Sequence, residues 1–177
     1  MQLTRTERWT LANQCKILET LYPDEAEVYA GYRRVLERGY ELRYPWICES
    51  IYGAPDTMSS AECQEVLDIL QMFSDIHHAW TALEDKTGID GGMLAFRGFD
   101  GNNETKQMGY CRFLCSLDGG RFPELHHGHD GFNSHSPVLE CYRRMLSEWR
   151  KATDHPGLTR DELARIATAA VHPENRT

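Results

Sequence analysis

The sequence contains no Cys-x-x-Cys pair, no long apolar run and no excess of positive charge. Its six cysteines are too scattered for a zinc ribbon or a thioredoxin-type site. No apolar run approaches the roughly 20 residues that a membrane-spanning helix requires. Lys and Arg total 19 against 27 Asp and Glu, which gives a formal net charge of −8. This balance disfavours non-specific binding to a nucleic-acid backbone as the main activity.

Nucleotide-binding and catalytic motifs are also missing. There is neither a Walker loop nor a Gly-x-Gly-x-x-Gly pattern, and Gly91-Gly92 alone predicts nothing. The N-terminal residues 1–8 are polar and lack the apolar core of a secretion signal. We therefore expect a cytoplasmic protein with reduced cysteines, outside the membrane and without a cofactor or resident metal.

Helical periodicity is the strongest signal that the sequence does contain. Three Ser or Thr residues are each followed three positions later by Glu, the spacing of a capping box at a helix start. These pairs are Thr4 with Glu7, Ser59 with Glu62, and Thr159 with Glu162. We predict an all-α fold, with a single domain over residues 1–171 and a frayed tail over 172–177.

The clearest predicted element is a long central helix over about residues 59–86. Its apolar residues recur three and four positions apart over five turns: Val66, Ile69, Phe73, Ile76, Trp80 and Leu83. This continuous seam predicts the core of the domain. We also expect the seam to extend into a second copy of the chain, which favours a homo-oligomer.

Other helices are predicted on either side of the central one. A helix ending at Gly39 is expected to face inward through Val28, Tyr32, Val35 and Leu36. Further helices are expected over about 103–117 and from Ser136-Pro137 onward. Between these two lies an irregular loop over about 118–135, a length that is often functional when ordered.

Two short phrases mark the candidate functional region. They are Gly98-Phe99-Asp100 and, 33 positions later, Gly131-Phe132-Asn133, and each predicts a tight bend. Arg112 lies between them in an apolar helix, so we expect its guanidinium to be enclosed and to bind both bends. The candidate ligand-binding or loop-clamping residues are Asp100, Arg112, His127, Asp130 and Asn133.

Three interpretations of this region remain open. Arg112 either clamps the two bends together or binds an anionic ligand through its forked donors. The loop residues His126, His127, His129 and Asp130 form either a solvated loop or a metal site, although their spacing matches no common zinc pattern. With Asp100 and Arg112, the same residues suggest a hydrolase or nuclease.

Several of these phrases together carry a family resemblance. They are Glu37-Arg38-Gly39-Tyr40, Asp68-Ile69-Leu70-x-Met72, Gly98-Phe99-Asp100, Gly109-Tyr110-x-Arg112-Phe113, Gly131-Phe132-Asn133 and Tyr142-x-Arg144-Met145-Leu146. In this combination the chain resembles the bacterial YfbU family, from about Asn13 to Trp149. The resemblance implies an all-α cytoplasmic protein and supplies no catalytic residue. In the family pattern a histidine precedes the Gly-Phe-Asn bend, whereas Asp130 stands there in this sequence.

These observations favour a non-enzymatic regulatory or protein-interaction domain that forms a homo-oligomer and binds a protein partner. The hydrolase or nuclease is the first alternative. A nucleic-acid-binding regulator is a weaker one, because acidic residues accompany both arginine-rich stretches of the chain.

Overall fold

The computed structural model describes residues 1–51, 53, 56–116, 120–125 and 131–175. Within these ranges the regular elements are seven α-helices and five short 3-10 turns, and the only β-pairing is an isolated bridge. The predicted all-α fold is confirmed. No helix in the described ranges is both long and apolar enough to cross a membrane.

The chain divides into two compact units, residues 1–56 and residues 57–177. The expectation of one domain over residues 1–171, with a frayed tail after it, stays a prediction. The two units are described separately below.

The unit of residues 1–56 is a helical hairpin followed by a short helix: α1 (Arg5–Leu21), α2 (Ala26–Arg38) and α3 (Tyr44–Ile47). The predicted capping box starts α1, since Thr4 Oγ1 accepts the Glu7 N–H at 3.2 Å and Glu7 accepts the Thr4 N–H at 2.7 Å. Gly39 ends α2 in the left-handed conformation. The buried core of this unit is small: Ala12, Cys15, Leu36 and Tyr44.

The predicted inward face of α2 is only partly right. Leu36 is buried, Tyr32 and Val35 are half-buried, and Val28 is 49% exposed. Short helix α3 leaves Trp46 59% exposed. Part of the apolar stripe of α2 is therefore left exposed by the rest of this unit.

The unit of residues 57–177 contains the longer helices: α4 (Ser60–Ala82), α5 (Thr105–Ser116), α6 (Leu139–Trp149) and α7 (Arg160–Ala170). Helix α4 packs on α5 and α6, and α6 packs on α7. The seam residues Val66, Ile69, Phe73 and Ile76 are at most 1% exposed. These four residues are covered within the unit, whereas Trp80 and Leu83 at the end of the seam are half-buried. The homo-oligomer stays a prediction.

Helix α4 ends four residues before the predicted boundary. Leu83 adopts an extended conformation, and the Asp85 carboxylate then accepts the Thr87 N–H at 3.0 Å. This local side-chain bond competes with the helical pattern and starts a turn. Gly88 completes that turn with a φ of +75°.

The predicted loop over 118–135 is only partly described. Its described part contains a 3-10 turn, Pro123–Leu125, and the second bend from Gly131 onward. Helix α6 begins at Leu139 instead of Ser136-Pro137, and no side chain at the predicted start caps it. Its cap comes from a distant residue, Glu104.

Candidate functional site

The two bends are joined by direct backbone pairing. The Phe99 N–H donates to the Phe132 carbonyl at 2.9 Å, and the Ser134 N–H donates to the Phe99 carbonyl at 3.1 Å. These bonds form a parallel bridge between Phe99 and Asn133. The prediction that the bends lie together is confirmed.

The glycine of the first bend is required by this close approach. Gly98 has a φ of +85°, and a Cβ atom there would lie 2.1 Å from the Phe132 oxygen. Phe132 itself has a positive φ of 65°, a conformation that costs energy for a bulky side chain. The pairing therefore holds backbone conformations that neither bend would favour alone.

Asn133 serves the first bend as a hydrogen-bond acceptor. Its Oδ1 accepts the Gly101 N–H at 2.9 Å and the His135 N–H at 3.0 Å. One side chain thus joins the chain after the first bend to the chain after the second. Asn133 is half-buried, and its amide carbonyl is already engaged by backbone donors.

Asp100 is buried and accepts hydrogen bonds from the two asparagines that follow it closely in sequence. Its carboxylate accepts the Asn103 side-chain amide, and it accepts the Asn102 N–H at 3.1 Å. These donors hold the pKa of the Asp100 carboxyl below its ordinary value, because they stabilise the charged form. Only 1% of the residue is exposed to solvent.

Glu104 is the residue that the sequence analysis missed. It is 6% exposed, and its Oε2 accepts the Asp100 N–H at 2.9 Å. Its other oxygen, Oε1, accepts the Val138 N–H at 2.8 Å and the Leu139 N–H at 2.7 Å. A carboxylate thus caps the N-terminus of α6, where the helix dipole favours negative charge. No local spacing predicts a cap that is 34 residues away in sequence.

An aromatic cluster lies behind the bends. Four aromatic rings have their centroids within 6.2 Å of the Phe96 centroid: Phe73, Phe99, Phe132 and Tyr142. The Tyr142 hydroxyl donates to the Gly98 carbonyl at 3.0 Å and accepts the Arg97 N–H at 3.1 Å. Burial raises the pKa of this hydroxyl above its ordinary value, so it stays a donor. The bends are therefore anchored to α6.

Arg112 does contact the second bend, but it is not enclosed. Its Nε donates to the Gly131 carbonyl at 2.5 Å, while the residue as a whole is exposed. The expectation of an enclosed guanidinium is wrong because helix α5 buries its other side, through Cys111, Leu114 and Cys115. Phe113, next to Arg112, is 55% exposed. Whether Arg112 binds a ligand stays a prediction.

The remaining candidates, His127 and Asp130, lie outside the described residues together with His126 and His129. In the described part of the chain, no three His, Cys, Asp or Glu side chains are grouped so that they could hold a metal ion. The hydrolase or nuclease alternative therefore stays a prediction. Two residues of this alternative are described, and they differ in exposure: Asp100 is buried, whereas Arg112 is exposed.

The arginines of α6, and Arg150 directly after it, are engaged by neighbouring groups. Arg143 pairs with Glu65 at 2.7 Å, and Arg150 pairs with Asp68 at 2.6 Å. Arg144 instead donates to the last carbonyls of α7, at Ala169 and Ala170. These contacts join α4, α6 and α7, as expected where acidic residues accompany an arginine-rich stretch.

The bend region thus consists of acceptors that are already occupied by backbone donors. Such an arrangement fixes the chain and the start of α6, and it leaves Asp100 and Glu104 without access to a substrate. Its residues nevertheless match the phrases that carry the family resemblance. In a comparison with known families, the sequence model of the YfbU domain matches residues 1–169 of the 177. The chain belongs to the YfbU family.

Proposed function

We propose that this protein is a non-enzymatic regulatory or protein-interaction domain of the cytoplasm that pairs with a second copy of itself. The observation that carries the proposal is the distribution of exposed apolar side chains. Among the described residues 12 large hydrophobic side chains are exposed, and all but Met93 and Phe113 lie within residues 1–56. Apolar surface concentrated in this way is typical of an interaction site.

This surface includes a groove of about 360 Å³ between α2 and α3. Its walls include Val28, Tyr32, Tyr40 and Trp46. Trp46 carries the Arg43 guanidinium 3.8 Å from its ring centroid. The described residues of this unit include four buried core side chains. Such a unit gains stability when the groove is covered, because small domains bury too little apolar surface alone.

Charge favours a second copy as the occupant. The groove carries Glu27 on α2 and Arg43 beside α3. Both residues are exposed. In a two-fold dimer the same patch faces itself, so a residue of one copy can meet a different residue of the same patch on the other copy. Glu27 of each copy then faces the partner's Arg43, and the apolar walls between them are covered.

Sedimentation velocity at micromolar concentration tests this proposal. The wild type is expected to be a dimer, and Val28→Glu is expected to give a monomer because it places an unpaired charge in the groove. The matched control is Phe113→Ser, which removes a side chain as exposed as Trp46 from outside residues 1–56. This control is expected to remain dimeric.

Charge exchange makes the test specific. Glu27→Arg or Arg43→Glu alone is expected to weaken the dimer about tenfold or more, and the double variant is expected to recover most of the affinity. A monomeric wild type contradicts the proposal. So does a dimer that none of these substitutions affects.

A further inference from the structure

A separate cavity of about 300 Å³ lies within residues 57–177. Helix α4 forms one side, and the 3-10 turns Gly91–Leu94 and Pro123–Leu125 form the others. Its lining is mostly apolar and includes Phe73, Trp80, Leu94, Phe96 and Leu125. Small-molecule sites in proteins have this size and this predominance of aromatic and aliphatic walls.

The aromatic walls are held in place by their neighbours. The Trp80 ring lies so close to Gly91 that a Cβ atom there would be 2.7 Å from the ring carbon Cζ2. Phe96 lies 5.1 Å from Phe73, centroid to centroid, and belongs to the aromatic cluster behind the bends. The cavity is therefore preformed, which reduces the cost of binding a ligand.

Glu124 supplies an unused charge at this cavity. The residue is half-buried and lines the cavity. Among the described residues its carboxylate has no hydrogen-bond or ion-pair partner, and it interacts electrostatically with Cys115. A carboxylate that loses part of its hydration without a partner is costly, and a bound cation removes that cost.

The aromatic wall also favours a cation. Lys86 Nζ already lies 5.1 Å from the Trp80 ring centroid, so the ammonium group of a ligand is placed at Glu124 and not on this indole. The faces of aromatic rings are electronegative. Among the described lining residues Glu124 carries the formal charge, and His77 is the other polar side chain. The Glu124 carboxylate would repel an anionic ligand, whereas it would attract a ligand that has an apolar body and a cationic group.

We propose that this cavity binds a small aromatic molecule carrying a protonated amine. The ring packs against the aromatic wall, and the ammonium group pairs with the Glu124 carboxylate. The site is independent of the proposed dimer groove, which lies in residues 1–56.

Isothermal titration calorimetry with 2-phenylethylamine tests this site, with phenylacetate as a probe of similar size and opposite charge. The wild type is expected to bind one amine per chain and to bind phenylacetate at least about tenfold more weakly. Glu124→Gln keeps the side-chain shape and is expected to weaken amine binding about tenfold or more. The matched control is Glu174→Gln, whose side chain is 86% exposed, and it is expected to leave binding unchanged.

A second variant tests the cavity itself. Ala95 is an exposed residue of the lining, so Ala95→Trp fills the space without disturbing the buried core. Amine binding is expected to be lost while the circular dichroism spectrum stays the same. Absence of saturable binding to the wild type overturns the proposal. Binding that survives both Glu124→Gln and Ala95→Trp also overturns it, because the amine then binds elsewhere.

Discussion

The carboxylate of Glu104 accepts the backbone N–H of Val138 at 2.8 Å, across 34 residues of sequence. The same side chain accepts the N–H groups of Asp100 and Leu139. The start of α6 therefore depends on the segment that precedes α5. A buried acceptor with three backbone donors is the most consequential polar group of the bend region.

Replacing Glu104 by Ala is expected to lower the free energy of unfolding by about 3 kcal/mol, because three backbone donors lose a charged acceptor. Hydrogen exchange of the Val138 and Leu139 amides, with urea unfolding beside it, measures the effect. Glu104→Gln keeps one acceptor oxygen and should fall between the wild type and Glu104→Ala. Unchanged exchange at both amides in Glu104→Ala would contradict the capping role.

Two glycines of this region are expected to respond in opposite directions to the same substitution. Gly98→Ala should destabilise the protein by about 3 kcal/mol, since φ is positive and the new Cβ would meet the Phe132 carbonyl. Gly109→Ala should stabilise it by about 0.5–1 kcal/mol, because a Cβ at that position in α5 meets nothing within 4 Å. Thermal and urea unfolding measure both. Equal effects would be inconsistent with the bend geometry.

Asn133 is expected to matter more for stability than Arg112. Asn133→Ala removes the acceptor of two backbone N–H groups and should cost about 1–2 kcal/mol. Arg112→Ala removes a bond from an exposed side chain and should cost less than about 1 kcal/mol. Asn133→Asp, which retains an oxygen acceptor, is the control. The reverse order in chemical unfolding would restore Arg112 as the main clamp.

Asp100 should contribute to the pH dependence of stability on the acidic side. Its pKa is lowered in the folded protein, so its contribution is complete above the ordinary value of 3.8 and is lost as the pH falls through the folded value. The free energy of unfolding, measured with urea, should therefore fall less steeply between about pH 5 and pH 3 in Asp100→Asn than in the wild type. Asp161→Asn, at a side chain that is 84% exposed, serves as the control. Identical slopes for wild type and Asp100→Asn would contradict the assignment.

The elements that were predicted best are those whose signals are local. All three capping boxes form as expected, because the Ser or Thr and the Glu of each box are only three residues apart. The end of α4 and the start of α6 were misplaced for different reasons. Asp85 provides a local turn that competes with the apolar pattern, whereas Glu104 acts from a distant part of the chain.

The candidate site was only partly predictable. The glycines and the Asp and Asn of the two phrases marked the bends correctly, since positive φ and short polar acceptors have clear sequence signals. The exposure of Arg112 could not be read from its apolar neighbours, because successive helical residues point about 100° apart. The same limit applies to Val28: the apolar pattern of α2 does not reveal whether another part of the protein covers this side chain.

The pairing of Phe99 with Asn133 closes a loop that contains all of α5. Once the two ends of such a loop are fixed, the entropic cost of a longer connection grows only logarithmically, by about 0.6 kcal/mol for each doubling. Changes in the length of this loop, away from α5 and from the buried residues Phe122 and Leu125, thus add little to the cost of folding. The closed base of the loop lets its length vary during evolution while the packed parts of the architecture stay the same.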